Sequence, residues 1–94
     1  TKKVARKLSK DQVAAFSLLI SSIAALQREN YELIWASMVK QTMKRKQPTF
    51  SEEYHGYTHF SKLLVDAEKE KLIKVHKDQR SGTYIIDELL EDYI

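Results

Sequence analysis

A mainly α-helical domain carrying one small β-hairpin is the fold class that three features of this 94-residue sequence predict. Apolar residues recur at helical spacing in three separate stretches before Lys71. Two β-rich runs follow, "LIKVHKD" and "TYIID", separated by "QRSG" with Gly82 placed for a turn. Pro48, the single proline, and Gly56, one of two glycines, fall between the second and third apolar stretches, where the chain needs a corner.

Taken in order, "TKKVARKLSK" is basic with little apolar periodicity, so residues 1–9 read as a linker or arm and residues 10–94 as the domain. Ser9 with Gln12 three residues later has the spacing of a capping box, which starts a first helix near Lys10 and runs it to about Gln27. Its stripe is Val13, Phe16, Leu19, Ile20, Ile23 and Leu26, and Ala14, Ala15, Leu18, Ala24 and Ala25 widen it most of the way round. Such a helix is either central or covered by a partner. We therefore expect Phe16, Leu19 and Ile23 at a protein interface, docked on an upstream domain or on a second copy in a homodimer. "RENYE" interrupts the apolar run, after which Ile34, Trp35, Met38, Val39, Thr42 and Met43 predict a second helix from Tyr31 to Arg45. Lys44, Arg45 and Lys46 end it, where cations complement the helix dipole, and Pro48 forbids continuation. Gly56 suits a positive φ in the corner, and Thr58 is placed to cap a third helix with Phe60, Leu63, Leu64 and Ala67 on one face, ending near Lys71. The final "ELLEDYI" fits a short helix or a tail. Helix, helix, turn, helix and hairpin is the order of a winged helix-turn-helix.

Composition excludes several function classes. A chain of this length holds one core. Cysteine is absent, which excludes a disulfide scaffold, a zinc finger and thiol catalysis and fits a reducing compartment, so a cytoplasmic location is expected. "VAAFSLLISSIAAL" is too short and too polar to span a bilayer, so no membrane role is expected. The chain begins at Thr1 without a methionine, as a piece cut from a longer protein would. Up to Pro48 there are ten Lys or Arg against three acids, a net of +7; from Thr49 there are six against ten, a net of −4. That asymmetry points to an anionic partner for the first half, nucleic acid above all.

The stretch Trp35 to Ile86 resembles the LOTUS (OST-HTH) domain, especially the bacterial type attached to NYN-family RNase domains. The pattern is the basic helix end, Pro48 and Phe50, the Gly56-Tyr57 pair, Phe60, "LLVDAEKEKLI", then Asp78 and "SGTY". The resemblance implies a winged helix without catalysis, an RNA-binding role that includes G-rich or G-quadruplex RNA, and, in some animal germline relatives, docking onto DEAD-box helicases. It covers roughly the C-terminal two thirds and leaves the first helix unexplained.

The residues themselves favour binding over chemistry. His55, His59, Glu52 and Glu53 match no common metal-ligand template, and there is no P-loop or nucleophile elbow, so no metal, cofactor or catalytic residue is expected. Tyr54, His55 and Tyr57 sit beside Gly56 in a polar corner after the basic helix end, where a ring can stack on an unpaired base; Tyr57 is the one best placed to pack instead. Lys40, Lys44, Arg45, Lys46, Lys62 and Arg80 are the cations expected to hold phosphate. The third helix mixes Lys62 and Lys69 with Asp66, Glu68 and Glu70, so its near-zero charge argues against insertion into a DNA major groove. An RNA-binding module directing an attached RNase-like domain is the leading expectation. A protein-interaction or dimerisation module and a winged-helix DNA-binding regulator are the alternatives.

Overall fold

The computed structural model describes residues 10–50, 57 and 59–90. Three helices and a small antiparallel sheet follow one another as α1 (Lys10–Arg28), β1 (Ile34–Trp35), α2 (Ala36–Lys46), α3 (Phe60–Lys69), β2 (Ile73–Lys77) and β3 (Tyr84–Leu89). The sheet has three strands in the order β1-β3-β2, one more than the hairpin expected from the sequence.

Helix ends are set by backbone geometry that the side-chain pattern only partly announces. α1 stops where Asn30 takes a left-handed φ of 63°, its N–H donating to the Gln27 carbonyl at 3.0 Å. Asparagine is the commonest substitute for glycine at that position. The chain then runs extended, so the second helix starts at Ala36 rather than Tyr31, and Ile34 and Trp35 pair with Ile86 and Ile85 of β3. α2 ends as Gln47 N–H donates to the Met43 carbonyl and Phe50 N–H closes a turn onto the Gln47 carbonyl, both at 2.9 Å, with Pro48 inside that turn. α3 closes with a Schellman motif: Leu72 N–H reaches the Ala67 carbonyl at 3.0 Å, Lys71 N–H reaches the Glu68 carbonyl at 2.9 Å, and Lys71 sits at φ 63°. His59, in extended conformation, precedes α3. The expected cap Thr58, the expected capping Ser9 and the corner glycine Gly56 lie outside the described residues.

β2 and β3 pair from Lys77↔Tyr84 to Ile73↔Leu89, and the register shifts by one between Lys74 and Val75. Asp87 is the extra residue, a bulge that bends β3 and redirects its side chain. The loop between the strands turns on Gly82 at φ 76°, as its position in "QRSG" suggests. β3 takes in Glu88 and Leu89, where the sequence pattern suggests a final helix or tail; the rest of that segment from Glu91 is outside the described residues.

The core lies between α1 and the other elements. Phe16, Leu19 and Ile23 are completely buried there with Val39, Met43, Leu63, Leu64, Ala67 and Ile73. This corrects the expectation that Phe16, Leu19 and Ile23 form a protein interface: the domain's own core, with α2 and the sheet packed on α1, covers them. Each such side chain contributes roughly 1.5–3 kcal/mol by leaving water, so the monomer already uses α1's strongest face. Along the middle of α1, what stays outside is Val13, 40 % exposed, with Ala14, Ser17 and Ser21; its two ends are polar.

Lys71 occupies a backbone region that a Cβ disfavours, and glycine does not. Lys71→Gly is expected to raise the unfolding free energy by about 0.5–1 kcal/mol in urea denaturation, since relief of strain exceeds the added freedom of the unfolded chain. Equal or lower stability would place the strain elsewhere.

Candidate nucleic-acid interface

The cations expected to hold phosphate do not form one patch. Lys44, Arg45 and Lys46 are exposed in the last turn of α2, and no ion pair engages them among the described residues. Lys40, one turn earlier, is half-buried and already has a partner interaction. Arg45 lines an open cleft of about 310 Å³ between the end of α1 and α2, together with Glu29, Tyr31, Met38, Gln41 and Thr42.

Lys62 stands at the other end of α1. It shares a cleft of about 360 Å³ with Gln12, Tyr57, Val65, Asp66 and Lys69. Gln12 is in the first turn of α1 and Leu26, in the Arg45 cleft, is in its last, so the two clefts are separated by roughly 21 Å at 1.5 Å per residue. Tyr57 is half-buried against the core. Its hydroxyl donates to Asp66 Oδ2 at 2.5 Å and accepts from Gln12 Nε2 at 3.4 Å, joining α1 to α3. Tyr57 thus serves mainly as a packing residue whose polar end is occupied. The acids of α3 are likewise used internally: Asp66 holds Tyr57, and Glu68 Oε2 accepts from the Val75 N–H at 3.3 Å. Lys62 and Lys69 are exposed beside them.

Arg80 occupies the exposed hairpin tip. The tip is held by Asp78, whose Oδ2 accepts from the Ser81 hydroxyl at 2.8 Å and from the Ser81 N–H at 2.9 Å. These bonds, the hydroxyl first, keep the Asp78 carboxyl below its usual pKa. On the outer face of the hairpin, His76 Nδ1 lies 2.7 Å from Asp87 Oδ1, an approach that the bulge at Asp87 makes possible. Tyr54 and His55, the other aromatic candidates of the corner, lie outside the described residues.

One exposed aromatic has no counterpart among the candidates read from the sequence. Tyr31 is 50 % exposed, as is Leu33, and Tyr31 lines both the Arg45 cleft and a neighbouring cleft of about 420 Å³ beside Glu32, Ile34 and Asp87. Asn30, a helix-stopping residue type directly before it, is the available signal that Tyr31 lies in a loop. Among the described residues, no group of three His, Asp or Glu side chains is arranged to hold a metal ion, and no helix is long and apolar enough to cross a membrane. Comparison of the chain with protein-family models, curated proteins and solved structures finds no match.

Two measurements test this geometry. Tyr57→Phe, which removes the hydroxyl that links α1 to α3, is expected to lower stability by about 1–2 kcal/mol in urea unfolding, as removal of a hydrogen bond to a carboxylate does. For Asp78, a folded-state pKa below the unfolded value contributes stability that is present above the ordinary carboxylate range and disappears as pH falls below it. NMR titration is expected to place the Asp78 midpoint below the usual carboxylate value, and Ser81→Ala to return it upward; an unchanged midpoint in that variant would assign the shift to another cause.

Proposed function

We propose that this domain is a non-catalytic RNA-binding module of winged helix-turn-helix type, related to the LOTUS domains that Trp35 to Ile86 resembles, and that it directs an attached RNase-like domain to structured or G-rich RNA in the cytoplasm. The observation that carries this reading is the run Lys44, Arg45 and Lys46, three consecutive exposed cations that no ion pair engages among the described residues. Three such charges in one helical turn repel one another, and a polyanion that brings its phosphates there releases counterions in return. The element order and the short strand β1 that joins the hairpin support the winged-helix reading.

RNA suits the surface better than duplex DNA. Reading a major groove requires a protruding helix flanked by charges that reach both backbones. Here Arg45 of α2 and the pair Lys62 and Lys69 of α3 line two open clefts at opposite ends of α1. Recognition of single strands, loops and RNA shape needs cations beside accessible rings rather than a groove-filling helix.

Replacing Lys44, Arg45 and Lys46 together by glutamine is expected to weaken binding to a G-rich and to an unstructured RNA alike. The slope of log affinity against log salt should become shallower by about 0.7 for each phosphate that the variant no longer neutralises. Fluorescence anisotropy across salt concentrations measures both. Parental affinity in the triple variant at every salt concentration would remove the α2 terminus from the RNA surface, and preference of the parent for a duplex DNA site over RNA would favour a DNA-binding regulator.

A further inference from the structure

We infer that Tyr31 and Arg45 form a subsite for one unpaired nucleobase of an RNA strand, with Tyr31 as the stacking surface and the α2 terminus as the phosphate anchor. The inference rests on the RNA-binding reading above and assigns it to one end of the domain.

The position of Tyr31 is imposed by the backbone. Left-handed Asn30 ends α1 and turns the chain, while Ile34 is pinned by its pairing with Ile86, so the short segment between them is held at both ends. Tyr31 is therefore presented from a fixed loop, yet half of it remains in water although the apolar core is complete without it. A large ring kept exposed on an anchored backbone costs little entropy when it acquires a flat partner. The cleft it shares with Arg45, about 310 Å³, is at the lower end of the roughly 300–1,000 Å³ typical of ligand sites. That is suited to one flat group and excludes a duplex.

The polar groups of the cleft sort the ligand's parts. Arg45 attracts phosphate or stacks on the base, and its neighbours Lys44 and Lys46 extend the positive surface along α2. Glu29, the residue after α1, lines the same cleft and repels phosphate, so in this subsite the backbone of the strand runs past α2 and the base edge faces Glu29. A carboxylate there accepts hydrogen bonds and offers none. It favours bases that present an exocyclic amino group (adenine, cytosine or guanine) over uracil, which presents carbonyl oxygens on either side of its single ring N–H.

The test uses the chain Thr1–Ile94 and fluorescein-labelled oligo(A), oligo(C) and oligo(U) of about twelve nucleotides, within the usual span of single-strand sites. Tyr31→Ala is expected to weaken binding by roughly 5- to 150-fold, the range for removal of one stacking ring, without altering the salt slope. Tyr31→Phe should bind within about twofold of the parent, and Tyr31→Leu, which keeps apolar bulk without a flat ring, should resemble the alanine variant. Arg45→Gln should weaken binding and lower the salt slope, and Glu29→Gln should narrow the preference for oligo(A) and oligo(C) over oligo(U). Photocrosslinking with RNA carrying 6-thioguanosine, which keeps its exocyclic amino group, should map to Tyr31. Unchanged binding in Tyr31→Ala, with weakening instead in a Lys62→Gln/Lys69→Gln variant, would overturn the subsite and leave the RNA-binding reading standing. Full binding by Tyr31→Leu would also overturn it, because an apolar protein interaction rather than stacking would then explain the exposed side chain. Absence of RNA binding by the parent chain would overturn both.

Discussion

Burial of one face of α1 is the constraint from which the rest of the domain follows. A chain this short has few apolar residues to spare, and Ala15, Phe16, Leu19, Ile23 and Leu26 put the largest share of the buried ones on a single rod. α2, β1 and β3 all pack directly on that rod, and the Tyr57 hydroxyl ties α3 to its first turn. At about 28 Å, α1 is as long as the domain is wide, its extents being 34 × 27 × 25 Å. An open cleft lies at each terminus of α1, against α2 at its end and against Tyr57 and α3 at its start. Placement of the two clefts is thus tied to the helix that organises the core.

The parts of this arrangement that are legible in the sequence are those in which local pattern and tertiary need agree. α1 and α3 each carry an apolar stripe at helical spacing against a polar remainder, and the pattern places their extents to within about two residues. β1 is not legible. Ile34 and Trp35 fall in phase with Met38 and Val39, so they look like the first turn of α2, and only pairing with distant Ile86 and Ile85 makes them a strand. The burial of Phe16, Leu19 and Ile23 is visible as hydrophobicity, but sequence does not say whether a helix face is covered by its own chain or by another. Asn30 and Lys71 end helices through left-handed geometry that most readings reserve for glycine.

The candidate site shows the same division. The cations of α2 are visible because three adjacent charges stand out in any sequence, and their exposure follows from the polar face of an amphipathic helix. Their companion ring is not visible. A single tyrosine in a polar stretch has no periodic signature, and its meaning depends on the turn at Asn30 and on the spatial neighbour Arg45. Conversely, the acids of α3, which on paper cancel Lys62 and Lys69, are held by Tyr57 and the Val75 amide. These hydrogen bonds fix where the two carboxylates sit without removing their charge, so the charge sum of the helix stands.

The Glu68 carboxylate has a consequence for how this domain behaves among other copies of itself. β2 lies at the margin of the sheet, where unsatisfied amides ordinarily invite a further strand from another molecule. By accepting the Val75 N–H, Glu68 removes one of those invitations from the middle of the strand, and Lys74 and Lys77 place positive charge on either side of it. An incoming strand would have to displace a charged acceptor and bring its own backbone between two lysines. The middle of that margin is thereby guarded against templated sheet growth by a side chain of the domain itself.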